Sequence, residues 1–178
     1  MNFMKVSNKE FKNLLIYTIV IIILVATKTI NLQEKDDRII HNSFGSSLRI
    51  FNLMMNDYNK AINNTEDIDE KVEIIKDLGI RLDRLQLSFS YIEDRFNLSF
   101  NPLTHYVVGF DLKNFKIDST YRTEVLNKLD EIYIISTKIK DMGYDEFYKN
   151  FNSKLSRVKP SDKIVDYFNE MNKLALQG

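Results

Sequence analysis

Residues 65–96 read TEDIDEKVEIIKDLGIRLDRLQLSFSYIEDRF, and this stretch decides the fold class. Ile68, Val72, Ile75, Leu78, Leu82, Leu85, Phe89, Ile92 and Phe96 recur along it in eight steps over 28 residues. Their mean step of about 3.5 is the heptad spacing, so one face of a long helix is apolar. The opposite face carries Lys71, Glu73, Lys76, Asp77, Arg81, Asp83, Arg84 and Asp94. Thr65 is the expected N-cap, and Glu66, Asp67, Asp69 and Glu70 then sit in the first turns, where the helix dipole favours negative charge.

Immediately upstream, Ile40, Phe44, Leu48, Phe51, Met55, Tyr58 and Ile62 succeed one another in steps of three or four. This second stripe predicts another helix, with Gly45 inside it costing about 1 kcal/mol relative to Ala. Asn63-Asn64-Thr65 separates the two stripes, and so short a link favours an antiparallel hairpin. The same seams could pair between copies as a coiled coil, making a homodimer a second expectation.

Further upstream, residues 14–26 read LLIYTIVIIILVA. Thr18 is the one polar residue in this run, and no charge falls between Lys12 and Lys28. Leu14, Leu15, Ile16, Ile19, Val20, Ile21, Ile22, Ile23, Leu24 and Val25 are the expected membrane anchor. Thirteen helical residues cover roughly 20 Å, short of a ~30 Å hydrocarbon core. Continuing to Ile30 lengthens the span, with Lys28 snorkelling to the far headgroups. A cleaved signal peptide needs small residues before the cut, and Val25-Ala26-Thr27 is a poor match. A buried core helix would show an amphipathic period, and this run has none. The expectation is therefore an uncleaved signal anchor, with secretion after cleavage as the alternative.

Lys5, Lys9 and Lys12 precede the run, and Lys28, Lys35 and Arg38 come after it, so the positive-inside rule does not decide the orientation. A short basic leader before a first apolar segment usually directs export of the downstream chain. The expected topology is a cytoplasmic N-terminus and an extracytoplasmic body. The expected organisation is a basic tail and anchor over 1–30, then a helical bundle over 31–178.

Beyond residue 119 the helical pattern resumes. Val125, Leu129, Ile132, Ile135, Ile139 and Met142 define a helix from about Thr120 to Met142, with Asp118, Ser119 and Thr120 as cap candidates and Gly143 as its C′ residue. Tyr144, Phe147, Tyr148, Phe151 and Leu155 predict a shorter aromatic helix ending before Pro160. A last helix starts at Ser161 or Asp162 and presents Ile164, Phe168, Met171 and Leu174. The predicted fold is all-α: an N-terminal transmembrane signal-anchor helix followed by a four- to five-helix bundle with a long antiparallel hairpin.

Between residues 97 and 119 the periodicity breaks. Asn101-Pro102 is a helix start, Phe110-Asp111-Leu112-Lys113 alternates like a short strand, and the segment is dense in aromatics. One reading is a crossover that tucks these rings over the end of the bundle. The other is a partner-binding surface formed by Phe100, Tyr106, Phe110 and Phe115, since irregular segments on rigid scaffolds often carry function.

Composition bounds the chemistry. The chain has 178 residues and equal numbers of basic and acidic side chains, 25 of each. Such a balance speaks against general nucleic-acid binding. The neutrality is an average: residues 1–30 carry a net charge of +3 and the remainder −3. With no cysteine there are no disulfides, thiolate metal sites or cysteine nucleophiles. Abundant Ile, Asn and Lys beside five Gly and three Ala suggest an AT-rich, bacterial genome.

The two histidines, His41 and His105, have no metal-ligand spacing between them. No nucleophile elbow, phosphate-binding loop or dinucleotide motif is present. The acids around Thr65–Glu70 lack the glycine and distal glutamate of a calcium loop. No catalytic residue, metal or cofactor is therefore expected. The functional expectation is a membrane-anchored extracytoplasmic bundle acting through a protein partner, with no nucleic acid. The alternative is a ligand-binding or sensory bundle with a pocket under the aromatic segment.

Overall fold

The computed structural model describes residues 8–149 and 158–177. Helix α1 spans Asn8–Asn63 without interruption, 56 residues or about 84 Å of helix. Its N-terminal part stands clear of the other described residues. From Ile40 onward it joins the core, where Ile40, Phe44, Leu48, Phe51, Met55, Tyr58 and Ile62 are all buried. No proline or glycine precedes Gly45 within this helix, so nothing in the sequence breaks the ladder between the two parts. In the exposed part the hydroxyls of Thr27 and Thr29 donate to the carbonyls of Ile23 and Val25, at 2.8 and 2.9 Å. These bonds satisfy the hydroxyls within the helix itself.

Helix α2 (Ile68–Phe96) returns antiparallel to α1. Its N-cap is Asp67, whose carboxylate accepts from the backbone N–H of Asp69 and Glu70. Thr65, the expected cap, acts two residues earlier: its hydroxyl accepts from Asp67 N–H and donates to the Glu70 carboxylate. The predicted stripe from Val72 to Phe96 is buried throughout, and Ile68 at its start is half-buried. The helix ends at Asn97, whose left-handed φ of 53° suits an Asn at a C-cap. At the far end of the hairpin Arg95 binds Asp36 at 2.6 Å and Asp37 at 2.5 Å, and Tyr91 donates to Asp36 at 2.7 Å. This cluster fixes α2 to α1 just beyond the exposed apolar segment.

Helices α3 (Asn101–Gly109) and α4 (Leu112–Ile117) occupy the irregular stretch. Helix α3 packs closely on α2 at Gly79, where an added Cβ would lie 3.2 Å from Val108 Cγ2. The alternation at residues 110–113 gives a helix start instead of a strand. Asp111 caps α4 by accepting from Lys113 and Asn114 N–H, both at 3.0 Å, and this local capping outweighs a two-residue alternation. Helix α5 (Ser119–Lys140) is capped by Asp118 and buries Val125, Leu129, Ile132, Ile135 and Ile139. It runs antiparallel to α1, with Asn52 Nδ2 donating to the Ser136 carbonyl at 3.0 Å.

The aromatic helix expected after Gly143 is not formed as predicted. Tyr144–Phe147 is a single 3-10 turn, and Tyr148–Lys149 (β1) pairs antiparallel with Lys159–Pro160 (β2). Gly143 has an extended backbone with φ −64°, so it opens this turn and does not close α5 in the left-handed form. Phe151 and Leu155 lie outside the described residues. Helix α6 (Asp162–Leu176) is capped by Ser161 and buries Ile164, Phe168, Met171 and Ala175, with Leu174 partly buried against the core. The body is thus a bundle of α1, α2, α5 and α6, with α3 filling the gap between α2 and α6 and α4 over α5. The all-α architecture and the long hairpin agree with the sequence pattern.

Candidate functional site

Two features distinguish this protein from a plain bundle: the exposed apolar end of α1 and the packing of the 97–119 segment. In the first, the most apolar eighteen-residue window of α1 has no buried residue. Ten large hydrophobic side chains from Leu15 to Val25, among them Ile16, Ile19, Val20, Ile21, Ile22, Ile23 and Leu24, face outward on all sides of the helix. Leu14 belongs to the same helix, but its side chain is outside those described. Eighteen residues of helix rise about 27 Å, close to a ~30 Å hydrocarbon core. Among the described residues nothing packs against this segment, and by length and composition it is a candidate membrane span.

In the 97–119 segment most of the aromatic rings turn inward. Phe100 is 1% exposed and meets Phe51, Phe89 and Phe168, each with ring centroids 4.9 Å away. Phe115 is fully buried and packs edge-on against the nearly buried Phe110 at 5.5 Å. As folded, Phe100, Phe110 and Phe115 belong to the core and offer almost no surface to a partner. Each ring removes a large apolar area from water, and the open side of the hairpin is where that area can be filled. What the segment turns outward is aliphatic: Val108 is 63% exposed, Ile117 71%, and Leu112 is also exposed. The mixed spacing of residues 97–119 concealed this division between inner rings and outer aliphatics.

Tyr106, the fourth predicted residue, is half-buried and borders a cleft of about 650 Å³ between α3, α5 and the end of α6. His105, Phe110, Tyr121, Glu124 and Lys128 contribute to the same walls. The Tyr106 hydroxyl is buried and makes no hydrogen bond among the described residues. Burial first, then the neighbouring Tyr121 and Glu124, push its pKa up to about 12, so it stays a neutral donor at physiological pH. Lys128 lies over the Tyr106 ring, 5.6 Å from its centroid. Its ammonium is engaged, pairing with Glu124 at 3.1 Å and donating to the Gln177 carbonyl at 3.2 Å. The cleft is therefore aromatic-walled and electrically balanced, with one unsatisfied hydroxyl.

Among the described residues no group of three or more His, Cys, Asp or Glu side chains could hold a metal ion. His41 lies elsewhere, with its ring 4.4 Å from that of Tyr148 near the start of the buried part of α1. No protein-family model, curated protein or solved structure matches this chain.

Proposed function

We propose that this chain is a single-pass membrane protein whose α1 crosses the bilayer and holds the helical bundle at the surface, where it engages a protein partner. The observation that carries this reading is the continuity of α1. One helix contains both an unburied apolar segment of near-bilayer length and the central strut of the bundle core. The short basic leader ahead of a first apolar segment supports a cytoplasmic N-terminus and an exported body. For the partner surface, exposed Val108, Leu112 and Ile117 are the favoured residues. They lie on α3 and α4, and the Lys116–Asp69 ion pair at 2.6 Å places α4 beside the α1–α2 turn, away from the apolar end. An apolar side chain on a partner fits this chemistry.

Because the chain has no cysteine, single cysteines test the topology cleanly. A membrane-impermeant maleimide added to intact cells should label Ser119→Cys and leave Ser7→Cys unlabelled until the membrane is opened. The reverse pattern overturns the orientation, and release of the chain by alkaline carbonate overturns the span. A photoreactive residue at Ile117 should give a discrete crosslinked product in native membranes.

A second reading has its own observation. The cleft beside Tyr106, with its unsatisfied hydroxyl, favours a bundle that binds a small aromatic or apolar ligand carrying one polar group. Under that reading Tyr106→Phe weakens ligand-induced thermal stabilisation without lowering the stability of the free protein.

A further inference from the structure

A second concavity lies between α1 and the C-terminal end of α5. It has a volume of about 620 Å³, within the range of small-molecule sites. Its apolar lining is Leu53, which is exposed, together with the edges of the core residues Leu48, Ile139, Met142 and Phe147, and Asn42, Ser46 and Asn52 add polar groups. Arg49 and Lys140 line it too, and both are exposed. Neither makes an ion pair among the described residues, whereas Arg81, Arg95 and Lys116 at other helix contacts are held by Asp57, by Asp36 and Asp37, and by Asp69. The acids nearest in the chain, Asp141 and Asp145, are not part of the lining.

An apolar floor beside two uncompensated cations is complementary to one kind of molecule. We infer that this groove binds an amphipathic anion, a single acyl chain ending in a carboxylate or similar head, with the chain on the apolar floor and the head between Arg49 and Lys140. The cations supply charge-assisted hydrogen bonds to the head, and the floor supplies apolar contact for the chain. The inference rests on the groove alone and holds whichever way the protein is oriented.

Met142 provides a probe within the site. Methionine-methyl NMR of the full chain in lipid nanodiscs, titrated with octanoate and separately with octanol, tests the inference. The expected result is a saturable shift of the Met142 methyl, with a Kd roughly tenfold lower for octanoate than for octanol. The buried Met171 on α6 should not respond. In the double variant Arg49→Gln, Lys140→Gln the preference for octanoate should disappear while the methyl spectrum otherwise persists. Equal affinity for both probes, a shift that does not saturate, or an unchanged preference in the double variant overturns the inference.

Discussion

Phe100 and Phe115 show how a single residue type can be read two ways from sequence. A dense run of aromatics signals either a docking patch or a core plug, and only the surrounding geometry separates the two. Here Phe51, Phe89 and Phe168 from three different helices converge on Phe100, and that convergence is a long-range fact that local spacing does not carry. Replacing Phe115 by Ala should destabilise the fold by about 3–5 kcal/mol, measured by chemical denaturation, because a fully buried ring is removed. Phe110→Asp should unfold the segment outright, since it places an unpaired carboxylate beside the buried Phe115. An intact, equally stable Phe110→Asp protein would contradict this packing. The Tyr106 hydroxyl makes the opposite prediction. Tyr106→Phe removes a buried donor that has no partner among the described residues, so stability should rise, by about 1 kcal/mol.

His41 gives the pH dependence. Burial is the main cause lowering its pKa below the ordinary 6.5, with Asn42 and Asp145 acting in the opposite direction. The folded protein therefore prefers the neutral imidazole more than the unfolded chain does. This contribution to stability is present above pH 6.5 and is lost as pH falls below it towards the lower folded value. The melting temperature should decline over that interval, and the decline should be smaller in His41→Gln. A steeper decline in the variant would contradict the assignment.

At the scale of elements, the strongly periodic helices were legible in advance. The heptad stripe of α2, the lower stripe of α1 and the inner face of α5 are buried as their spacing required. Long amphipathic helices are readable because many residues repeat the same message. Short elements were not. Residues 144–149 carry aromatics at helical spacing yet form a 3-10 turn and a strand, since a few residues cannot outweigh the pairing of Tyr148 with Pro160 and the bond from the Tyr148 hydroxyl to the His41 carbonyl. The strand-like alternation at 110–113 yielded in the same way to the Asp111 cap. The Arg95 cluster was also illegible, because its partners Asp36 and Asp37 are nearly sixty residues distant in sequence. Only 18% of the Arg95 side chain is exposed. Arg95→Ala leaves the adjacent carboxylates of Asp36 and Asp37 without their shared cation at a half-buried junction, and should cost about 2–3 kcal/mol. A double-mutant cycle with Asp37→Asn measures the coupling, and additive effects would remove the cluster from the account.

The whole molecule is organised by one helix built in two parts. From Leu15 to Ile30 its side chains are apolar around the full circumference, apart from Thr18, Thr27, Lys28 and Thr29. From Ile40 the same helix is amphipathic and forms the centre of a packed bundle. Between them, the Arg95 cluster holds α2 to α1, so the body is coupled to the apolar segment without a flexible linker. With the apolar segment in a bilayer, as proposed, the helix itself would set the position of the bundle relative to the membrane. Nitroxide labels on single cysteines introduced in turn from Leu15 to Leu32, with the chain in lipid nanodiscs, test the central claim most directly. The expected profile is high oxygen accessibility and low accessibility to a water-soluble nickel chelate at Ile19 to Leu24, with chelate access rising on both sides towards Lys12 and Lys35. Free access of the chelate along the whole segment would contradict it.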